Sequence, residues 1–224
     1  MTAPTAPPRR SPRLAVERDG GASPCVRVAA GDGTAGAIAA AVAVAAALVL
    51  PEAASERGHL VDLDVAYLAP AAGDLVASGR VLRRGREIAY VAVDVRSAGG
   101  TPVAAGRVTW FVAATPAASV WSAPMPAGAA PLVGSPGDAA RDETLAASLE
   151  RAAAAALPPA GIPDRAAPLA LYLGRHAPAR GPLAADASVV HRRDRVVATR
   201  VTLGAAGRVV ATGGVTYRLE TPGR

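Results

Sequence analysis

One stretch of this chain is written twice. Residues 69–110, APAAGDLVASGRVLRRGREIAYVAVDVRSAGGTPVAAGRVTW, lie on residues 177–217, APARGPLAADASVVHRRDRVVATRVTLGAAGRVVATGGVTY. Pro70 meets Pro178, Gly73 meets Gly181, Leu75 meets Leu183 and Val81 meets Val189. After a one-residue gap at a turn, Gly100 meets Gly207, Ala104 meets Ala211, Gly106 meets Gly213, and Val108-Thr109-Trp110 meets Val215-Thr216-Tyr217. Agreement over about forty positions is rare between two merely alanine-rich segments, so it reads as duplication of one unit. A chain of 224 residues can hold one large domain or two of about 100 residues. The duplication selects two similar halves.

Within each copy the apolar pattern has period two. Val61, Leu63 and Val65 alternate with Asp62 and Asp64, and β-branched runs follow at 88–95 and 103–112, which places one face of each strand on a core. Gly99-Gly100 and Ala206-Gly207 read as tight hairpin turns, so each copy is a mostly antiparallel sheet. Upstream of each sheet a helix is expected. The first, 34–50, is apolar all round and should be enclosed. The second, 142–157, has Asp142 at the N-cap position, acids in its first turn and Pro158-Pro159 as its stop. The expected class is α+β, with two antiparallel sheets, each wrapping a central helix. Its expected parts are a disordered tail over 1–22, a first half over 23–113, a joiner over 114–134 and a second half over 135–224. Trp121 and Met125 would pin the joiner to the surface.

Composition narrows the function. At 51% hydrophobic and 19% charged, the chain can bury enough surface to offset its ordering entropy. The net charge of +6 comes from arginine alone, and with aromatics at 3% there is no base-stacking surface, so nucleic acid is not expected as a partner. An anionic small ligand, such as one carrying phosphates, fits the charge equally well. One cysteine, Cys25, excludes a disulfide framework or a cysteine-rich metal site, and a reducing cytoplasm is the default location. The arginine-bearing N-terminus is followed by no apolar h-region, and the apolar run 36–50 is shorter than the ~20 residues of a membrane span, so no membrane association is expected.

The DLDVAYLAP strand, the Arg83-Arg84-Gly85-Arg86 turn and the stretch 100–110 resemble the hotdog fold, and more narrowly the acyl-CoA thioesterases of the phenylacetate-pathway (PaaI-like) and 4-hydroxybenzoyl-CoA type. The resemblance covers roughly 24–113 and 135–219, which implies a double hotdog. The signatures of hotdog hydratases and dehydratases are not seen, which favours the hydrolase branch. The resemblance implies an oxyanion-binding turn at the start of one central helix and a carboxylate about two turns along the helix of the partner subunit. Chemically, a developing oxyanion needs fixed donors at a positive helix end, and a carboxylate must activate water or attack the carbonyl.

In the first copy Thr34-Ala35-Gly36 stands where the family's His-Gly-Gly turn would fall, and Ala43 stands at the carboxylate position. Shifting by the 107 residues between the helices carries Ala43 to Glu150 and Ile38 to Leu145. Glu150 is the acid well inside a helix, while its own helix starts with Asp142-Glu143 in place of glycines. The departures are complementary: Glu150 facing the Ala35 and Gly36 amides would complete one site, and the mirror site would be dead. The expected catalytic residues are therefore Glu150, Ala35 and Gly36, and Thr34 is expected near substrate, with N-capping as its other reading. Arg83, Arg84 and Arg86, and Arg192 and Arg193, occupy equivalent turns and are expected to hold the phosphates of coenzyme A, although solvated hairpins explain them equally well.

Glu150 also reads as part of the polar stripe of an amphipathic helix. His59, His176 and His191 have no metal-like spacing, and no metal or other cofactor is implied. The expected partners are an acyl thioester, acyl-CoA or another, and further copies of the chain joined at exposed sheet edges. The alternative function is a degenerate hotdog that binds an acyl group or a protein partner.

Overall fold

The computed structural model describes residues 14–17, 24–29, 34–50, 59–112, 130–131, 142–157, 166–179 and 181–219. Strands β1 (Leu14–Glu17) and β2 (Cys25–Val28) precede helix α1 (Ala35–Leu48), and β3 (His59–Tyr67), β4 (Leu75–Arg84), β5 (Ile88–Ser97) and β6 (Pro102–Phe111) follow it. The short β7 (Ala130–Pro131) precedes α2 (Asp142–Ala155), and β8 (Ala166–Arg175), β9 (Leu183–Arg193), β10 (Val196–Ala205) and β11 (Arg208–Leu219) complete the chain's elements.

The two expected sheets are one. Eleven strands run in the order β1-β2-β4-β5-β6-β3-β8-β11-β10-β9-β7, and from β2 and β7 inward the two series mirror each other. The joint is β3 against β8, antiparallel from Asp62↔Gly174 to Ala66↔Ala170. Each of these strands would otherwise expose a row of unpaired N–H and C=O groups, and pairing them removes both edges. The remaining edges are four and two residues long. Part of the segment expected as a tail thus enters the sheet as β1, and Ala130–Pro131 of the expected joiner pairs with β9. Trp121 and Met125 lie outside the described residues.

Both helices lie on one face of this sheet and pack on each other. Helix α1 is enclosed as expected, with Ala37 to Ala43 all buried. Small residues set how closely it approaches the sheet. A Cβ on Gly79 of β4 would lie 2.7 Å from the Ala45 carbonyl oxygen, one on Gly106 of β6 would run into Val42, and one on Gly213 of β11 would run into Leu149 of α2. The glycines at 106 and 213, which align in the sequence, are therefore places where each helix sits down on its strand. Larger apolar side chains, among them Leu63, Leu75, Leu171 and Leu203, fill the space between.

Period-two alternation holds along much of each strand and is broken at register shifts in several strand pairs, one of them in β3. The β3–β6 register slips between Leu60 and Asp62, so Leu60 and Leu63 both point inward and Val61 is only half-buried. The Ala206-Gly207 turn has φ of +49° and +74°, the left-handed pair that a two-residue hairpin requires. Asp142 is the first helical residue of α2 rather than its cap, the helix ends at Ala155, and Pro158-Pro159 lies outside the described residues.

Candidate active site

The N-terminus of α1 is built by Thr34. Its backbone is extended (φ −70°, ψ 158°), and its hydroxyl accepts the Ala37 N–H at 3.2 Å while its carbonyl accepts the Ile38 N–H at 3.0 Å. The Ala35 and Gly36 amides, in the first helical turn, have no intrahelical acceptor. They stand at the positive end of the helix dipole.

Glu150 reaches this turn from α2. A Cβ placed on Gly36 would lie 3.0 Å from Ala147 Cα and 3.4 Å from both Cβ and Oε2 of Glu150. Glycine at position 36 is what lets the second helix bring a carboxylate against the start of the first. Glu150 and, from the first turn of α1, Ala35 line a cavity of about 560 Å³ at the Tyr67 end of β3, whose walls also include Thr34, Ile38, Tyr67, Tyr217 and Arg218. Leu68 to Ala71 and Ala166 to Leu169 supply its apolar remainder.

Two phenols flank the carboxylate. Tyr67 donates to the Ala35 carbonyl at 2.8 Å, and Tyr217 points its O–H at the Glu150 carbonyl at 3.5 Å. Burial first, and then the negative charge of Glu150, push both hydroxyls above the usual tyrosine range. Both therefore remain O–H donors at neutral pH. Neither was singled out for the site from sequence. The available signal was the repeat itself, which sets Tyr217 against Trp110 at the same strand position.

The arginine turns separate. Val196 pairs with Arg218, and Leu219 N–H bonds the Arg195 carbonyl at 2.7 Å, so the turn after Arg192 and Arg193 lies at the end of the sheet that carries the cavity. The turn holding Arg83, Arg84 and Arg86 does not: Ile88 pairs with Phe111, which pairs with His59 at the far end of β3. Eight residues of strand put the two ends about 26 Å apart. A separate concavity of about 340 Å³ lies beside Arg83 and Arg86.

Several solved structures share this architecture. Acyl-CoA thioesterase II TesB2 of Mycobacterium marinum superposes with a TM-score of 0.70 at 15% identity, over 93% of this chain and 96% of that one. The tesB protein of Mycobacterium avium subsp. paratuberculosis gives 0.72 at 15% identity, over 92% and 96%. A protein of Alicyclobacillus acidocaldarius described as having the hot dog fold gives 0.63 at 15% identity, over 93% and 97%. The chain has the hotdog fold. No protein-family model matches its sequence, and no curated protein does either.

In this hotdog, Ala43 is buried inside α1 and takes no part in the cavity, while Ile38 lines it and Leu145 is buried in α2. The histidines stand elsewhere: His59 stacks on Phe111 with centroids 5.2 Å apart, His176 shares a 2.7 Å hydrogen bond with Thr212, and His191 is exposed at the end of β9. Cys25 opens β2 and is half-buried. A more open concavity of about 430 Å³ lies on the sheet face away from the helices, where burial and neighbouring Asp62 raise the Asp64 carboxyl against the opposing pull of Arg107. Among the described residues, no helix is long and apolar enough to cross a membrane.

Proposed function

We propose that this hotdog is a tandem duplication that hydrolyses acyl thioesters, acyl-CoA in the first instance, at one composite site between α1 and α2. The observation that carries the reading is the Glu150 carboxylate packed against Gly36 at a capped helix N-terminus, inside a cavity with apolar walls. The name of the Mycobacterium marinum protein that shares its fold, an acyl-CoA thioesterase, supports the same reaction class.

Glu150 acts as general base. It takes a proton from a water that attacks the thioester carbonyl carbon, and the Ala35 and Gly36 amides receive the oxygen as it becomes negative. Collapse of the tetrahedral intermediate breaks the C–S bond, and the proton held by Glu150 passes to the departing thiolate. Products are a carboxylic acid and a free thiol. Thr34, whose hydroxyl is used as a cap, shapes the turn rather than performing chemistry. Arg218 lines the cavity and the turn carrying Arg192 and Arg193 stands at the same end of the sheet, which supports assigning these three to the nucleotide phosphates of coenzyme A; the turn of Arg83, Arg84 and Arg86, at the opposite end, is left out of that role. The mirror position offers Ala43 instead of an acid, so one site per chain operates.

The deciding experiment compares hydrolysis of a panel of acyl-CoAs by the wild type and Glu150→Gln. A loss of 10²- to 10⁴-fold is expected for removal of a general base, and equal rates would refute the site. The second reading, an acyl-binding hotdog without turnover, draws on the use of Thr34 as a cap where the resembled family carries a histidine. It would show as tight acyl-CoA binding with no hydrolysis by the wild type.

A further inference from the structure

Tyr217 sits in the wall of the cavity with a hydroxyl that the protein holds only weakly. The residue is 2% exposed, near the end of β11. Among the described residues its hydrogen bond goes to the Glu150 carbonyl at 3.5 Å, well beyond the 2.5–3.0 Å of a well-made O–H···O bond. Leaving a buried donor so poorly satisfied is costly, and such a group is a candidate for a ligand's acceptor. Tyr67 differs: its O–H is committed to the Ala35 carbonyl at 2.8 Å, which ties β3 to the first turn of α1. Of the two phenols beside Glu150, only Tyr217 has hydrogen-bonding capacity to offer an incoming group.

The oxyanion turn, meanwhile, is short of donors. Thr34 has its hydroxyl on Ala37, and only the Ala35 and Gly36 amides remain. The companion strand makes the contrast plain. Trp110 occupies the matching position in β6, and its buried ring N–H has no acceptor among the described residues, but the helix position that corresponds to Glu150 is Ala43. The same strand position thus carries a buried single-donor ring twice, and only at 217 is that ring set beside a carboxylate.

We propose that Tyr217 is a catalytic residue of the thioester hydrolysis, its O–H bonding the carbonyl oxygen of the substrate as that oxygen gains negative charge. The role rests on the thioesterase reading above. Rotation about the Cζ–O bond moves the hydrogen from the Glu150 carbonyl to the substrate oxygen, so no rearrangement of the chain is needed, and the phenol keeps its proton throughout. Because the bond strengthens with charge on the oxygen, its contribution belongs to kcat more than to KM.

The test is steady-state hydrolysis of acyl-CoAs by the full chain and by Tyr217→Phe, with thermal denaturation of both as a check on folding. The expected result is a kcat lowered about 100-fold with little change in KM, the size seen when one oxyanion donor is removed. A variant that folds and keeps the wild-type kcat, or that changes only KM, overturns the role of Tyr217 and leaves the thioesterase reading standing. A wild type that hydrolyses no acyl thioester removes both. Should Tyr217→Phe not fold, 3,5-difluorotyrosine at 217 replaces it: a more acidic phenol is a stronger donor, and a kcat within about 1.5-fold of wild type overturns the proposal.

Discussion

Gly36→Ala separates the packing of this protein from its chemistry. The new methyl group would stand 3.0 Å from Ala147 Cα, against an optimum of about 3.5–4.0 Å between carbons, so the two helices must give by a few tenths of an ångström. Overpacking of that kind costs about 1–3 kcal/mol, and replacing a helical glycine by alanine returns about 0.5–1 kcal/mol. The net loss is about 1 kcal/mol, small against a typical domain stability of about 5–15 kcal/mol. The consequence for Glu150 is larger. Its Oε2 would lie 3.4 Å from the added methyl, and any outward shift of α2 carries the carboxylate away from the Ala35 and Gly36 amides. A misplacement near 1 Å can cost about 100-fold in rate, so a shift of a few tenths of an ångström should lower kcat/KM by about 3- to 10-fold in a protein that still folds. Urea denaturation read together with single-turnover hydrolysis of an acyl-CoA measures both quantities. Unchanged kcat/KM would refute the placement of the reaction at this helix junction, and a loss above about 4 kcal/mol would show that the helices cannot yield as supposed.

Two further outcomes follow from the same site. Thr34→Ala removes the cap of α1 and should cost about 1 kcal/mol in urea denaturation, whereas Thr34→Ser should retain most of it. Raising the pH tests the buried phenols: an unfolded tyrosine loses its proton near pH 10, while folded Tyr67 and Tyr217 hold theirs to higher pH. Between about pH 10 and 12 the unfolded state therefore binds fewer protons, and stability should fall by about 1.4 kcal/mol per pH unit for each tyrosine. Below pH 9 the two contribute no slope. A flat urea midpoint from pH 9 to 12 would contradict their burial.

Much of this structure is legible in the sequence because its causes are local. An alanine helix apolar on every side must be enclosed, and α1 is. Gly106 and Gly213 align in the repeat, and both turn out to be seats for a helix. The offset that takes Ala43 to Glu150 also locates the carboxylate that meets Gly36. The joint between β3 and β8 is not legible: it pairs Asp62–Ala66 with Ala170–Gly174 across more than a hundred residues, and each segment alone reads as an ordinary half-buried strand. Strand register is likewise what distinguishes Arg192 and Arg193 from Arg83, Arg84 and Arg86, since as sequence the two turns are equivalent. Tyr67 and Tyr217 escaped notice because an aromatic at the end of a strand reads as core until its hydroxyl is seen to face an acid.

The β3–β8 joint also fixes how the proposed composite site would respond to its surroundings. In a dimer of identical hotdogs, a site shared between subunits comes apart on dilution, and every substitution appears on both sides of the symmetry axis. Here the ladder from Asp62 to Ala66 against Ala170 to Gly174 is covalently within one chain, so Gly36 and Glu150 meet at an effective concentration that does not depend on how much protein is present. One position of the pair is free to be glutamate while its counterpart is alanine. That freedom allows one end of the sheet to be specialised without the other having to follow.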